Sequence, residues 1–212
     1  MNEQGKCLIN GPESASLKVV LAHGAGVAMD SFFMERIARG LGNNGFHVVR
    51  FEFPYMRKMR QTGKRLPPDR EQVLTESWME TLEEVGECEK LVIGGKSLGG
   101  RIASMIADPL GVHALICLGY PFHAPGRPER LRTTHLENLK TPTLICQGER
   151  DPFGKAEEIS RYPLSPSVRI RFLEDGDHSF KPRAGSSRTH EQNLHLAVDY
   201  ITEFLTQSHP SL

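Results

Sequence analysis

Short apolar runs recur along the chain, and amphipathic segments lie between them. Six of these runs are rich in β-branched and other apolar residues: Leu17–Leu21, Phe46–Phe51, Leu91–Ile93, Ala114–Leu118, Thr143–Cys146 and Val168–Phe172. Most are nearly continuous in apolar character, as buried parallel strands are. The last run alternates between apolar and polar positions, which predicts an edge strand with one wetter face.

Helical periodicity occupies the intervals between these runs. Phe33, Ile37 and Leu41 step by four residues, and Gly45 follows them as a stop signal. Two further apolar stripes have helical spacing: Val73, Leu74, Trp78, Leu82 and Val85 form one, and Leu194, Val198, Ile201 and Leu205 form the other. Alternating strands and helices predict an α/β fold, with a mostly parallel sheet of about six to seven strands and helices on both faces. No repeat or linker interrupts the pattern, so residues 1–212 are predicted to form one domain.

The composition of the chain argues against several classes of function. The chain has 26 Lys and Arg residues and 26 Asp and Glu residues, so no net field attracts nucleic acid or an anionic membrane. No apolar run approaches the roughly 20 residues that span a bilayer, and residues 1–6 do not resemble a signal peptide. The four cysteines are not spaced as metal ligands or as a redox pair. We therefore expect a cytoplasmic protein with reduced thiols that binds neither nucleic acid nor membrane.

Charge is uneven locally although the total is balanced. The segment from Arg57 to Arg70 is strongly basic, and a Glu-rich segment follows it. One interpretation is a basic loop that lies near its own acidic helix, since charge runs are usually solvated faces. The alternative is a basic rim that attracts an anionic substrate.

The most informative motif is the segment 94–100, where Ser97 follows an apolar run and precedes a helix-like segment. Gly95, Ser97 and Gly99 form the Gly-x-Ser-x-Gly pattern of a nucleophile elbow, a sharp strand-to-helix turn that exposes the serine hydroxyl. The alternative is a phosphate-binding loop, because Gly95-Lys96-Ser97 matches the end of that motif. Lys90 stands where that loop needs its first glycine. The sequence therefore favours an elbow with Ser97 as the nucleophile.

A serine hydroxyl needs a base that removes its proton, and the base needs an acid that orients it. After a nucleophile elbow, the acid comes next in the chain and the histidine follows. Asp151 and His178 each follow an apolar run, so both are predicted in loops at the carboxyl edge of the sheet, where active sites gather. Glu149 is the alternative acid. Asp151 is favoured because Pro152 and Gly154 constrain its turn.

A developing oxyanion needs two backbone N–H donors. The residue after the nucleophile supplies one, which is Leu98. The loop after the first apolar run is expected to supply the other, because its small residues allow close approach. Ala25 is the preferred donor there, and Gly26 is the second choice. His23 precedes the serine in the chain, so we interpret it as a structural hydrogen-bonding residue.

Four motifs give the chain a resemblance to a known superfamily: they occupy residues 23–26, 95–99, 148–151 and 177–178. In order and spacing they resemble the α/β-hydrolase superfamily over nearly the whole chain. The elbow and the loop at 119–123 look like those of a compact bacterial subgroup related to dienelactone hydrolase-like proteins. Animal relatives of that subgroup include a hydrolase-like subunit of a histone-acetyltransferase complex. The resemblance implies an α/β-hydrolase fold and a Ser-His-Asp triad, although dienelactone hydrolases proper have a cysteine where this chain has Ser97.

The interval 119–142 is too short for a separate cap domain. Tyr120, Phe122 and His123 lie in this interval, where they either line an acyl pocket together with Gly26 or pack beneath the loop. We therefore expect a cofactor-free and metal-free serine hydrolase that acts on a small carboxylic ester or thioester through an acyl-enzyme. The alternatives are a non-catalytic interaction module on the same fold, and a peptidase or acyltransferase on the same triad.

Overall fold

The computed structural model describes residues 7–207, which form a seven-stranded sheet and the helices around it. The strands are Cys7–Asn10 (β1), Leu17–Ala22 (β2), His47–Phe51 (β3), Lys90–Lys96 (β4), Ala114–Leu118 (β5), Thr143–Gly148 (β6) and Val168–Leu173 (β7). The α-helices are Phe32–Asn43 (α1), Pro54–Thr62 (α2), Glu71–Val85 (α3), Leu98–Leu110 (α4), Ala156–Ile159 (α5) and His190–Thr206 (α6). Thr134–Glu137 forms a short 3₁₀ helix between β5 and β6.

The strand order in the sheet is β1-β3-β2-β4-β5-β6-β7. Strands β2 to β7 run parallel, whereas β1 pairs antiparallel with β3. All six predicted strands are present, and β7 is an edge strand as its alternating pattern predicts. The pattern misses β1, because four residues are too few to establish a period.

Helices cover both faces of this sheet, as the predicted fold class requires. Along β2, Val19 and Leu21 join a core layer with α1 and α6, while Val20 and Ala22 join the layer with α3 and α4. The division follows from strand geometry, since successive side chains point to opposite faces. The predicted helical stripes form the inner faces of α1, α3 and α6, although in α3 Val73 is exposed and Leu82 and Val85 are only partly buried.

The basic segment 57–70 is predicted to be a loop, but only part of it is one. Its first residues belong to α2, which begins with Pro54 in a helix-starting position and ends before Gly63 in a left-handed conformation. Tyr55 and Met56 are buried on the inner face of this helix. Apolar packing on one side therefore outweighs the polar appearance of the segment.

The connection between β5 and β6 contains only the short 3₁₀ helix, so no separate cap domain lies there, as predicted. In residues 7–207 no helix is both long enough and apolar enough to cross a membrane. Because β2 to β7 are parallel, the loops that leave them meet at the carboxyl edge of the sheet, where open α/β sheets bind ligands. The predicted site residues all lie at this edge.

Candidate active site

Ser97 forms the turn between β4 and α4. Its φ of 49° and ψ of −110° lie in a region that residues other than glycine rarely adopt. The Ser97 N–H donates to the Leu118 carbonyl at 3.0 Å, and the Ser97 carbonyl accepts from the Arg101 N–H at 2.9 Å as α4 begins. The sharp strand-to-helix turn that the motif predicts is therefore present. Strained backbone of this kind is concentrated at functional sites.

Close packing against β2 explains the glycines around Ser97. A Cβ atom at Gly95 or Gly99 would collide with the Ala22 carbonyl oxygen. A Cβ atom at Gly100 would lie 2.7 Å from the Gly95 carbonyl oxygen. The backbone of the elbow thus lies directly against neighbouring backbone, which leaves no room for side chains.

We expect Gly99→Ala to lower the free energy of unfolding by about 1–3 kcal/mol, because its methyl group meets a strand backbone that cannot move aside. Gly185→Ala is the matched control, since a Cβ atom there meets nothing within 4 Å. Urea denaturation of both variants measures the difference. Equal stability of the two would contradict the close contact at the elbow.

The structure brings Ser97, His178 and Asp151 into one hydrogen-bonded chain. His178 Nε2 lies 2.9 Å from Ser97 Oγ, and His178 Nδ1 lies 2.8 Å from Asp151 Oδ2. An ionised carboxylate only accepts hydrogen bonds, which assigns the imidazole proton to Nδ1. Nε2 is then the acceptor for the Ser97 hydroxyl proton. Asp151 follows β6 and His178 follows β7, as the apolar runs predict.

Asp151 is fully buried, and two further donors hold its carboxylate. The Gln147 side-chain amide donates to Oδ2 at 2.9 Å, and the Phe153 N–H donates to Oδ1 at 2.9 Å. Gln147 Oε1 also accepts the Tyr120 N–H at 2.8 Å. Gln147 thus connects the acid loop to the loop after β5. Sequence reasoning missed this residue, although a polar side chain at the end of an apolar strand was the available signal.

Glu149, the alternative acid, lies outside this chain of hydrogen bonds. Its carboxylate accepts the Asp175 N–H at 2.8 Å. The guanidinium of the neighbouring Arg150 lies 2.7 Å from the Asp175 carboxylate. Asp177 Oδ1 accepts the Ser179 N–H at 2.7 Å, which shapes the turn that carries His178. These acidic residues fix the loop conformation, and Asp151 alone among them contacts the imidazole.

His178 is held in its neutral form by its surroundings. Burial lowers the pKa of His178 below its usual value of 6.5, and the hydrogen bond with Asp151 opposes this effect. The positive charge of Lys96 lowers the pKa of His178 further. The Phe153 ring covers the imidazole, with 4.2 Å between the ring centroids. A neutral imidazole at pH 7 is the state that a general base requires.

The predicted oxyanion donors lie on the two expected elements. Leu98 is the first residue of α4, so its N–H has no acceptor within the helix. Ala25 and Gly26 are exposed, and the Ala25 carbonyl accepts the Tyr55 hydroxyl at 3.2 Å. His23 is fully buried, and its Nε2 accepts the Phe53 N–H at 3.1 Å, in agreement with its predicted structural role.

Tyr120, Phe122 and His123 do not line an open pocket, which corrects the first of the two interpretations. The first two side chains are fully buried and His123 is 3% exposed. The Tyr120 hydroxyl donates to the Arg132 carbonyl at 2.9 Å, and the rings of Tyr120 and Phe122 pack edge to face. Filling the core beneath this loop buries more apolar area than lining a cleft would, which is the physical reason for the placement.

Lys96 is turned into the protein, which excludes the phosphate-loop interpretation. Its ammonium donates to the His178 carbonyl, and the residue is 3% exposed. Within residues 7–207 no three His, Cys, Asp or Glu side chains converge in a way that could hold a metal ion.

A mostly parallel sheet whose carboxyl edge carries an elbow serine, then an acid loop and a histidine loop, defines the α/β hydrolases. Residues 15–206 match the family model described as the alpha/beta hydrolase domain. The chain therefore belongs to the α/β-hydrolase family.

Known proteins of similar sequence and structure agree with this family. ABHD14B of Rattus norvegicus, whose name proposes protein-lysine deacylase activity for it, is 23% identical over 167 residues, 78% of this chain and 76% of that protein. A lidless α/β serine hydrolase of Xanthomonas campestris superposes with a TM-score of 0.70 at 18% identity, covering 96% of this chain and 90% of that one. Dienelactone hydrolase of Anabaena variabilis superposes with a TM-score of 0.68 at 21% identity, covering 94% and 89%. At these identities the structural likeness shows the fold.

Proposed function

We propose that the protein is a serine hydrolase that cleaves a small carboxylic ester or thioester. The observation that carries this proposal is the hydrogen-bonded chain from Ser97 through His178 to the buried Asp151. Nucleophile, base and orienting acid are the three groups that acyl transfer to serine needs. Membership of the α/β-hydrolase family supports hydrolase activity in general, without specifying the substrate.

In the first half-reaction, Ser97 Oγ attacks the acyl carbonyl carbon while His178 Nε2 takes the hydroxyl proton. Asp151 keeps the imidazole oriented and stabilises its charged form. The Leu98 and Ala25 N–H groups are proposed to hold the oxyanion. Collapse of the tetrahedral intermediate breaks the bond to the leaving group, which takes the proton from His178. The product is an ester between the acyl group and Ser97.

In the second half-reaction, water replaces the leaving group. His178 removes a proton from this water as the water oxygen attacks the acyl carbon. The intermediate expels Ser97 Oγ, which takes the proton back from the imidazole. The carboxylic acid is released and the enzyme returns to its starting state.

The size and charge of the substrate are proposed from the surroundings of the site. No cap domain lies between β5 and β6, which leaves room for small acyl groups at an open edge. The Tyr55 hydroxyl links α2, whose last turns begin the basic segment 57–70, to the Ala25 loop. This placement supports a basic rim that favours anionic substrates.

A panel of acyl esters and thioesters that differ in chain length and charge tests the substrate class. We expect the highest kcat/KM for short acyl groups, and a preference for anionic esters that weakens as salt screens the basic segment. Equal rates for anionic and neutral esters at low salt would contradict the basic rim. Absence of hydrolysis for every ester and thioester would contradict the proposed function itself.

The activity is expected to fall in acid as His178 is protonated. Because the pKa of His178 lies below 6.5, kcat/KM should be constant near neutral pH and fall tenfold per pH unit once the pH is below that pKa. This decrease is the acid limb of the pH profile, and it is measured as the pH dependence of kcat/KM for an uncharged ester. An acid limb centred above pH 7 would contradict the enclosed, neutral imidazole.

The name of the rat relative suggests that amides of lysine are also worth testing. The same three residues could release an acyl group from an amide or pass it to an acceptor other than water. Product analysis with ester, amide and added alcohol or amine acceptors separates hydrolase, peptidase and acyltransferase. We also propose that the ligand is a small acyl compound and that the protein is located in the cytoplasm.

A further inference from the structure

Lys96 and Ser97 are consecutive in the chain, and both contact His178: one contacts its backbone and the other its imidazole. Ser97 Oγ lies 2.9 Å from the imidazole Nε2, while Lys96 Nζ donates to the His178 backbone carbonyl at 2.5 Å. Lys96 is the last residue of β4, so the strand that carries Ser97 also holds the backbone of the loop that carries the base. The mechanism above does not use this lysine.

The ammonium of Lys96 occupies a space that its neighbours leave open for it. A Cβ atom at Gly119 would lie 2.7 Å from Lys96 Nζ and 2.8 Å from the His178 carbonyl oxygen. Gly119 has a φ of 64°, so the chain turns there in a conformation that glycine tolerates. On another side, Nζ lies 5.3 Å from the centroid of the Phe33 ring, a favourable position for a cation.

The charge of Lys96 acts directly on the base. The charged groups that influence His178 are Asp151 and Asp177, which favour the imidazolium, and Lys96, which disfavours it. Burial lowers the pKa of Lys96 to about 8, while Asp151 and Asp177 act to raise it. The amine is therefore mostly protonated at pH 7, close to the imidazole and shielded from solvent.

We propose that Lys96 is a positioning residue for the base: its ammonium fixes the His178 backbone against the strand that carries the nucleophile and places a buried positive charge beside the imidazole. This inference rests on the proposed function, in which His178 is the general base. Lys96 occupies the variable position of the Gly-x-Ser-x-Gly motif. Its positive charge also destabilises the imidazolium that forms during acyl transfer.

Four variants separate charge from packing. Lys96→Met removes both the charge and the donor, Lys96→Gln removes the charge but keeps a donor, and Lys96→Arg keeps both. Lys181→Met removes an exposed charge from the same loop as a control. We expect the acid limb of kcat/KM to move up by roughly one pH unit in the Met and Gln variants, so that both lose about tenfold more kcat/KM below the limb than above it. Lys96→Met also lacks the donor to the His178 carbonyl, so it should lose roughly two- to tenfold more kcat/KM than Lys96→Gln at every pH.

The Arg variant and the Lys181→Met control should keep the wild-type limb, because the first retains the charge and solvent screens the second. A loss of kcat/KM that is equal at every pH in both Lys96→Met and Lys96→Gln, with no shift of the limb, would overturn the proposal, since a merely structural lysine gives that result. An equal shift of the limb in Lys96→Arg would also overturn it.

A measurement on the wild-type protein needs neither turnover nor folded variants. In an NMR titration, the ¹⁵N shifts of the His178 imidazole should show its own transition below pH 6.5 and a second inflection near pH 8, where Lys96 loses its charge. A single transition would overturn the coupling between the two residues. Since the titration does not depend on catalysis, it distinguishes this failure from a failure of the proposed function.

Discussion

Replacing Ser97 with alanine is expected to lower kcat for a good ester substrate by about 10⁵- to 10⁶-fold, the loss typical of a removed serine nucleophile. Without Oγ there is no attacking atom, and His178 Nε2 has no proton to accept from the enzyme. The fold should persist, because the Ser97 backbone hydrogen bonds do not involve the hydroxyl. Steady-state hydrolysis of an activated ester, together with thermal unfolding, measures both quantities.

Ser104→Ala is the matched control for this variant. Ser104 also lies beside a histidine, with 2.8 Å between its Oγ and His135 Nε2, but its hydroxyl donates to the Arg101 carbonyl at 2.7 Å. The Ser104 hydroxyl proton is therefore bound to a backbone carbonyl. Because Ser104 lies outside the proposed triad, kcat of Ser104→Ala should stay within about twofold of wild type. If Ser104→Ala lost activity and Ser97→Ala kept it, the nucleophile would be misassigned.

Asp151→Ala has the second largest expected effect, a loss of about 10⁴-fold in kcat. His178 Nδ1 would lose its acceptor, so the imidazole could rotate or adopt the tautomer that leaves no lone pair toward Ser97. The Phe153 N–H would also lose its acceptor, which costs about 1–3 kcal/mol of stability unless water enters, whereas the Gln147 amide keeps the Tyr120 and Gly154 carbonyls as acceptors. Kinetic assays and urea denaturation measure the two losses.

Glu149→Ala tests the same assignment from the other side. Glu149 lies two residues away and follows the same strand, but its carboxylate accepts the Asp175 N–H instead of contacting His178. We expect a loss of less than tenfold, caused by a looser loop near His178. A larger loss for Glu149→Ala than for Asp151→Ala would contradict the role of Asp151.

The sequence predicts the parts of the fold that carry strong apolar patterns. Six strands and three long helices are found where the periodicity places them, and Ser97, Asp151 and His178 meet because each follows a parallel strand. Parallel strands end at one edge, so loops that are distant in sequence become neighbours. Motif order was therefore enough to predict which side chains meet.

Other features depend on tertiary contacts that no local pattern contains. β1 forms because β3 offers a free edge, and α2 forms because Tyr55 and Met56 find apolar partners beneath a polar surface. The burial of Tyr120 and Phe122 follows from the space under their loop, which loop composition does not encode. Sequence patterns identify elements, whereas packing decides which side of a loop is covered.

Gln147 and Lys96 show the same limit at the site. Both are single polar residues at the ends of apolar strands: Gln147 lies outside every motif, and the nucleophile elbow assigns no role to the position that Lys96 occupies. Their importance comes from contacts made across the sheet edge, to Asp151 and to the His178 carbonyl. A buried polar side chain must be hydrogen-bonded, so such residues mark supporting contacts once burial is known.

Labelling with a fluorophosphonate shows directly whether Ser97 is an activated nucleophile. Ser97 Oγ should form a bond to phosphorus as fluoride leaves and His178 takes the proton. Intact mass measurement of the wild-type protein should show one adduct, peptide mapping should place it on Ser97, and Ser97→Ala should show none. Folded wild-type protein without an adduct would favour a non-catalytic interaction module, and an adduct on another residue would show that Ser97 is not the activated nucleophile.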